Sequence, residues 1–295
     1  MAEADVSELL REVRQVQIVA NRLVNDLLAG EYLSTFKGRG MVFDEVRAYV
    51  PGDEIRTIDW NVTARTGEAH VKRFCEEREL TVLFAVDVSA SGMFGSQRRS
   101  KLQTAVQVAA VLMFSALKNN DKVGLVTFAQ EVTQYVPPRK GRGAVLRLIR
   151  DLLAVEPRRE ATDLGAALEF IGHVQRRRAV LFVMSDFMGP DCSRALRLAN
   201  RRHDVIAVTL SDPRELEFPD VGFVVLEDAE TGEVCEVDTR HPRVRRLFAE
   251  RAARREAGLA ETLRRSGIDR MEIRTDRPYA QSLQRFFKMR ERRFR

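Results

Sequence analysis

From Leu80 onward the chain alternates between apolar stretches of strand length and longer stretches of helical spacing, and this alternation constrains its fold most. The run Leu80-Thr-Val-Leu-Phe-Ala-Val86 is apolar at nearly every position. A strand that is half exposed alternates in polarity, whereas a strand buried on both faces does not, and such strands belong to parallel sheets covered by helices. Helical spacing follows over Lys101 to Leu117. Then come a strand over Val123 to Phe128, a short strand near Val132 to Val136, and helices over Ala144 to Ala154 and Leu164 to Val174. Further strands are predicted at Ala179 to Met184, Val205 to Leu210 and Met271 to Arg274. Helices are predicted at Arg194 to Asn200, Val244 to Leu263 and Tyr279 to Arg290. Strands separated by helices require crossovers, which are right-handed and place helices on both faces. The expectation is an α/β fold, a doubly wound, mainly parallel sheet of Rossmann type in which Leu80 to Val86 is interior.

The flanks read differently. Val6 to Leu28 carries apolar residues at helical spacing and is stopped by Gly30. Tyr32 to Arg78 holds Gly38, Gly40, Pro51, Gly52 and Gly67 among short alternating stretches, and is predicted to form strands and turns. Val221 to Val237 is a strand-rich insertion with a turn at Glu230-Thr-Gly-Glu233. The predicted organisation is a family-specific segment over 1–78, helix first and strand-rich after. An α/β domain follows over 79–295, interrupted near 221–238.

The chain's 295 residues include 49 Lys and Arg against 43 Asp and Glu. Both signs are abundant, the basic runs are short, and no aromatic residues interleave them at regular spacing, so a nucleic-acid surface is not expected. No apolar stretch is long enough to span a bilayer, and the N-terminus lacks a basic end followed by an apolar block. Cys75, Cys192 and Cys235 fit no zinc spacing, so free thiols in a reducing cytoplasmic setting are expected.

Chemistry concentrates at the predicted strand ends. Asp87-Val-Ser89-Ala-Ser91 follows the first buried strand, and open parallel sheets place their ligand sites beyond the carboxyl ends of strands. Asp186 follows another buried strand in Met184-Ser-Asp186-Phe. Thr162-Asp163 precedes a helix, where Thr162 is expected to cap the helix and Asp163 to sit at its positive end. Read singly, each has a bland explanation as a strand-end carboxylate, a cap or a turn residue. Together, Asp87, Ser89, Ser91, Thr162 and Asp186 form a hard-oxygen set suited to Mg²⁺ or Mn²⁺.

In order and strand context, these five residues resemble the metal-ion-dependent adhesion site of von Willebrand factor A domains, over about Leu80 to Leu210. The preceding stretch is similar to the signature of the bacterial family called domain of unknown function fifty-eight. It comprises Phe43-Asp-Glu-Val-Arg47-Ala-Tyr49-Val-Pro51-Gly52-Asp53, Arg56 and Ile58-Asp59-Trp60. That resemblance covers nearly the whole chain and implies an A-type domain, an Asp186 that acts through a water, and a working association with MoxR-type AAA+ ATPases. Many members begin with two membrane helices, and this chain resembles the shorter cytosolic branch. For Arg47, Asp53, Arg56 and Asp59 the expected role is an internal ion-pair network with Trp60 as a buried anchor.

Two functions compete. A Mg²⁺-dependent hydrolase of phosphate esters needs a nucleophile or base and a cation to hold phosphate. The Asp87 loop offers no second Asp two residues on, no neighbouring Lys is evident, and no GxxxxGK[ST] loop exists. A protein-binding module needs only an open coordination position. The expectation is therefore a non-enzymatic, metal-dependent module that takes an acidic residue of a partner, a MoxR-type ATPase or its client.

Overall fold

The computed structural model describes residues 3–25, 42–75, 79–156, 160–229 and 232–294. The chain divides into two units, one of residues 1–35 with 80–295 and one of residues 36–79.

The larger unit begins with helix α1 (Glu3–Leu23), which packs on two helices of the α/β region. In the smaller unit, strand β1 (Val42–Ala48), helix α2 (Trp60–Thr66) and strand β2 (His70–Cys75) follow, the two strands forming an antiparallel ribbon. The order then continues in the larger unit with β3 (Thr81–Asp87), α3 (Lys101–Lys118), β4 (Lys122–Phe128), β5 (Val132–Arg139), α4 (Arg142–Leu153) and α5 (Leu164–Val174). Strand β6 (Val180–Ser185), α6 (Ser193–Arg202), β7 (Asp204–Ser211) and a single turn, α7 (Pro213–Leu216), come next. A hairpin of β8 (Phe223–Glu227) and β9 (Val234–Asp238) leads to α8 (Pro242–Arg265), β10 (Asp269–Arg274) and α9 (Tyr279–Phe294).

Six strands form one sheet in the order β10-β7-β6-β3-β4-β5. All neighbours are parallel except β4 and β5, which are antiparallel. The expected mainly parallel α/β sheet is thus present, and β3 is interior, between β6 and β4. Strand β3 is fully buried from Val82 to Val86. Alternation within it divides the core. Leu83 and Ala85 join Leu181, Val183, Leu168 and Leu196 in one apolar layer, and on β3 and β6 the rings of Phe84 and Phe182 stack at 5.2 Å. Helix α3 is buried almost all round. It starts in a capping box, with Ser100 accepting from Gln103 N and the Gln103 side chain accepting from Ser100 N, which satisfies two donors that helix ends leave orphaned. No described helix is long and apolar enough to cross a membrane.

Three expectations change. Helix α1 belongs with the sheet-bearing unit, because its buried Val13 and Ala20 face α3 and α4; grouping it with 1–78 separates it from what it packs on. The segment 60–66 is a helix and not a strand or turn, because Asp59 accepts from Asn61 N and Val62 N and caps it while Gly67 ends it at φ 77°. Trp60 is 67% exposed and anchors no core. Arg47 pairs with Asp53 at 2.6 Å and Lys72 with Asp59 at 3.4 Å, whereas Arg56 forms no ion pair among the described residues.

Candidate metal centre

Strands β3 and β6 are parallel neighbours with Val86 opposite Met184, so Asp87 and Ser185 end at the same level on the carboxyl edge. Ser185 Oγ donates to Asp87 Oδ2 at 2.7 Å, and Ser89 N donates to Asp87 Oδ1 at 3.0 Å, folding the chain back just past the strand. Thr162 arrives from the loop before α5, which is tied to the end of β4 by the Asp163 N to Ala129 O bond of 2.9 Å. Its hydroxyl donates to both Asp87 oxygens at 3.3 and 3.4 Å. Ser91, in a short turn, lies 3.1 Å from Ser89 Oγ and donates to Asp186 Oδ2 at 2.9 Å. All five residues selected from the sequence are therefore linked in one hydrogen-bonded group. Asp163, and not Thr162, caps α5, with its carboxylate accepting from Ala166 N; the Thr162 hydroxyl is turned to Asp87 instead.

Three residues escaped the sequence reading. Lys101, 1% exposed at the start of α3, places Nζ 2.6 Å from Asp186 Oδ2 and 2.5 Å from Glu215 Oε1. A lysine does stand beside this site, contrary to expectation. A lysine at the first position of a largely apolar helix, directly after its cap, was the available signal. Asp212, fully buried at the end of β7, accepts from Ser96 N and Oγ at 2.9 and 2.6 Å, and from Thr275 Oγ1 at 2.6 Å. It thereby ties the loop carrying Ser91 to the sheet edge. It is a strand-end aspartate, the signal that singled out Asp87, here followed by Pro213. Ser185 is the third.

The electrostatics separate the two aspartates. Burial pushes the Asp87 carboxyl up, the Ser185 hydrogen bond opposes this, and neighbouring Asp186 adds to the rise. No cationic side chain pairs with Asp87 among the described residues. Burial works against charge on Asp186 too, but Lys101 outweighs it and holds that carboxyl below its usual range. Burial likewise opposes the Lys101 charge, and Asp186 with Glu215 raise it above the usual lysine value.

Asp87 is thus a buried carboxyl with hydrogen-bond donors but no counter-charge, surrounded by hydroxyl oxygens. That donor set fits a small hard cation, with Asp87, Ser89, Ser91 and Thr162 as the residues that would hold it and Asp186 behind them. Softer metals want His or Cys, and neither is in this set; no group of three or more His, Cys, Asp or Glu suited to a metal exists among the described residues, so a cation here would rest on one carboxylate and hydroxyl oxygens. A bound divalent cation would act as a Lewis acid toward an incoming oxygen ligand.

The loop after Asp186 is tightly fitted. Phe187 has φ 56°, a left-handed conformation that a bulky residue adopts only when its surroundings impose it. A Cβ added at Gly189 would stand 2.7 Å from the Thr162 carbonyl oxygen. Gly189→Ala is therefore expected to push Thr162 out of place and to cost about 1–3 kcal/mol in urea unfolding. An unchanged midpoint would show that the loop yields freely.

The profile of a family described as "Protein of unknown function DUF58" matches residues 45–258. The chain belongs to this family. Its relatives include an uncharacterized protein of Mycobacterium tuberculosis, Rv1480, 35% identical over 293 residues, covering 98% of this DUF58 chain and 92% of the relative. Among solved structures, a conserved hypothetical protein, BatB, of Bacteroides thetaiotaomicron is similar with a TM-score of 0.46 and 17% identity, over 72% of this chain and 99% of that one. The SpRpn10 VWA domain is similar with a TM-score of 0.39 and 13% identity, over 70% and 94%.

Proposed function

We propose that this DUF58 protein is a metal-dependent protein-binding module and not an enzyme, with Mg²⁺ or Mn²⁺ held by Asp87, Ser89, Ser91 and Thr162. One observation carries this reading: the Asp186 charge is already shared with buried Lys101, which leaves Asp87 as the one carboxylate free to neutralise the metal. A divalent cation with a single anionic ligand stays electron-poor and takes a further anionic oxygen readily. A Glu or Asp of a partner supplies it, whereas an apolar or basic group cannot. The resemblance to adhesion-type A domains points the same way, and the family association suggests a cytoplasmic MoxR-type AAA+ ATPase, or its client, as that partner. A phosphate-ester hydrolase is disfavoured because the lysine at this site is committed to two carboxylates and is not available to hold a phosphoryl group.

Capture of a purified MoxR-type ATPase on this protein is expected to fall at least tenfold when EDTA replaces Mg²⁺. Ser89→Ala and Thr162→Ala should weaken capture less than Asp87→Asn, since a hydroxyl lost to water costs less than the anion. Exposed charges elsewhere add attraction that fades with salt, because the Debye length is about 10 Å at ~0.1 M. Equal capture with and without chelator would remove the metal from the docking surface.

A further inference from the structure

Beside Asp186 the structure holds a cavity of about 170 Å³ between the loop that follows β6 and helix α8. Phe187, Met188, Leu196, Leu210 and Leu259 form its apolar wall. A cavity of roughly 150 Å³ accommodates a benzene ring, so this one has room for a leucyl or phenylalanyl side chain against that wall, with Thr209, Ser211, Glu215 and Arg270 lining the rest. The cavity and the candidate metal centre share Asp186 as a common wall. Met93, Phe94 and Met188, two or three positions from Ser91 or Asp186, stand exposed on the same loops.

The charges around the cavity are mostly spoken for. Lys101 holds Asp186 and Glu215, Arg270 pairs with Glu256, and Asp191 accepts from Ser193 N and Oγ at the start of α6. Arg255 is different. It lines the cavity, it is exposed, and its guanidinium meets only the Glu215 carbonyl oxygen, at 3.4 Å, with no acidic partner among the described residues. A recess with one apolar wall and an unmatched cation at its side, next to an oxygen-rich metal centre, complements one kind of segment.

Building on the proposed metal-dependent docking, we infer that this cavity is a specificity pocket for an acidic partner segment. It receives a Phe- or Leu-sized side chain lying next to the carboxylate that meets the metal, with Arg255 facing further acidic charge on the segment. The metal centre selects for an acid, and the cavity selects which acid by its neighbour. Filling an apolar pocket discriminates at about tenfold or more.

The test uses capped tetrapeptides, Gly-Glu-Phe-Gly and Gly-Glu-Gly-Gly, titrated with Mg²⁺ into the protein labelled at its methionine methyls. Met188 reports on the cavity wall, and Met113, buried in α3, reports on the core. The phenylalanyl peptide is expected to bind about tenfold tighter, to shift Met188 and not Met113, and to show a direct ring-to-Met188 methyl contact. Leu259→Trp, which fills the cavity, should bring the two peptides to parity with Met113 unmoved, and Arg255→Glu should weaken both. Equal affinities in the unmodified protein, absence of the ring contact, or no binding at ~10 mM, the weak end of specific recognition, overturns the pocket. Repeating the titrations in EDTA separates the two readings. A phenylalanyl preference with unaltered affinities supports the pocket and removes the metal, whereas binding that is lost in EDTA but never showed a preference keeps the metal and removes the pocket.

Discussion

Lys101→Met is expected to lower the stability of the protein by roughly 3–5 kcal/mol, the cost of removing one partner from a buried ion pair. Methionine preserves the length and apolar stem, so the loss isolates the ammonium. Its side chain is 1% exposed and that of Asp186 4%, which leaves little room for water to replace the missing charge. The pH dependence should change sign. In the unmodified protein the Asp186 carboxyl is held below its unfolded value, so its contribution is present above that value and is lost as pH falls through the folded one. Without Lys101, burial dominates and raises the same carboxyl, so stability should fall as pH rises through the carboxylate range. Urea unfolding at several pH values reads both effects. Adding Asp186→Asn should recover part of the loss, because removing both charges avoids an uncompensated one. A single-variant cost below about 1 kcal/mol would mean that the pair is not dry.

Asp87→Asn is expected to abolish stabilisation by Mg²⁺. A ligand at about a hundred times its dissociation constant adds ~2.7 kcal/mol to the folded state. For a domain of this size that is a rise in Tm of about 5–10 °C. The substitution keeps the shape of the side chain and an acceptor for the donors that converge on it. Alanine is the poorer choice, because Asp87 is 7% exposed and accepts from Ser89 N, Thr162 and Ser185. Each donor left unpaired would cost about 1–3 kcal/mol regardless of any metal. In the absence of metal, the asparagine form should match or exceed the unmodified protein near neutral pH, because a carboxyl raised by burial destabilises the fold as it ionises. Metal affinity should rise with pH in the unmodified protein for the same reason. A full Mg²⁺ shift in Asp87→Asn, followed by differential scanning fluorimetry, would move the metal elsewhere.

Strand β3 was legible because burial on two faces leaves an uninterrupted apolar run, and strand β6 likewise. Their ends then located Asp87 and Asp186, since a parallel sheet sends every carboxyl terminus to one edge. Thr162 was legible as a residue but not as a role, because a threonine before a helix and a capping threonine look alike. The bonds of Asp163 to Ala166 N and of Thr162 to Asp87 show which of the two side chains caps. Lys101 and Glu215 lie 114 positions apart and were invisible as partners, since no local pattern encodes a pair brought together by crossovers. Trp60 misled because a lone tryptophan usually marks a core, whereas here it begins a short exposed helix.

The position of β10 bears on how the chain is made. Strand β5 closes one side of the sheet and carries Pro137 and Pro138, which cannot donate to an added strand. On the other side β7, fully buried from Val205 to Leu210 once the fold is complete, depends on β10 for cover. Ser211 is synthesised about 60 residues ahead of Asp269, so at ~5–20 residues per second β7 emerges roughly 3–12 s before its neighbour. For that interval the nascent sheet presents an unpaired edge rich in β-branched residues, which is prone to capture another chain. Yield during expression should therefore be sensitive to translation rate over residues 212–268 and to nascent-chain chaperones, more than to the stability of the finished fold.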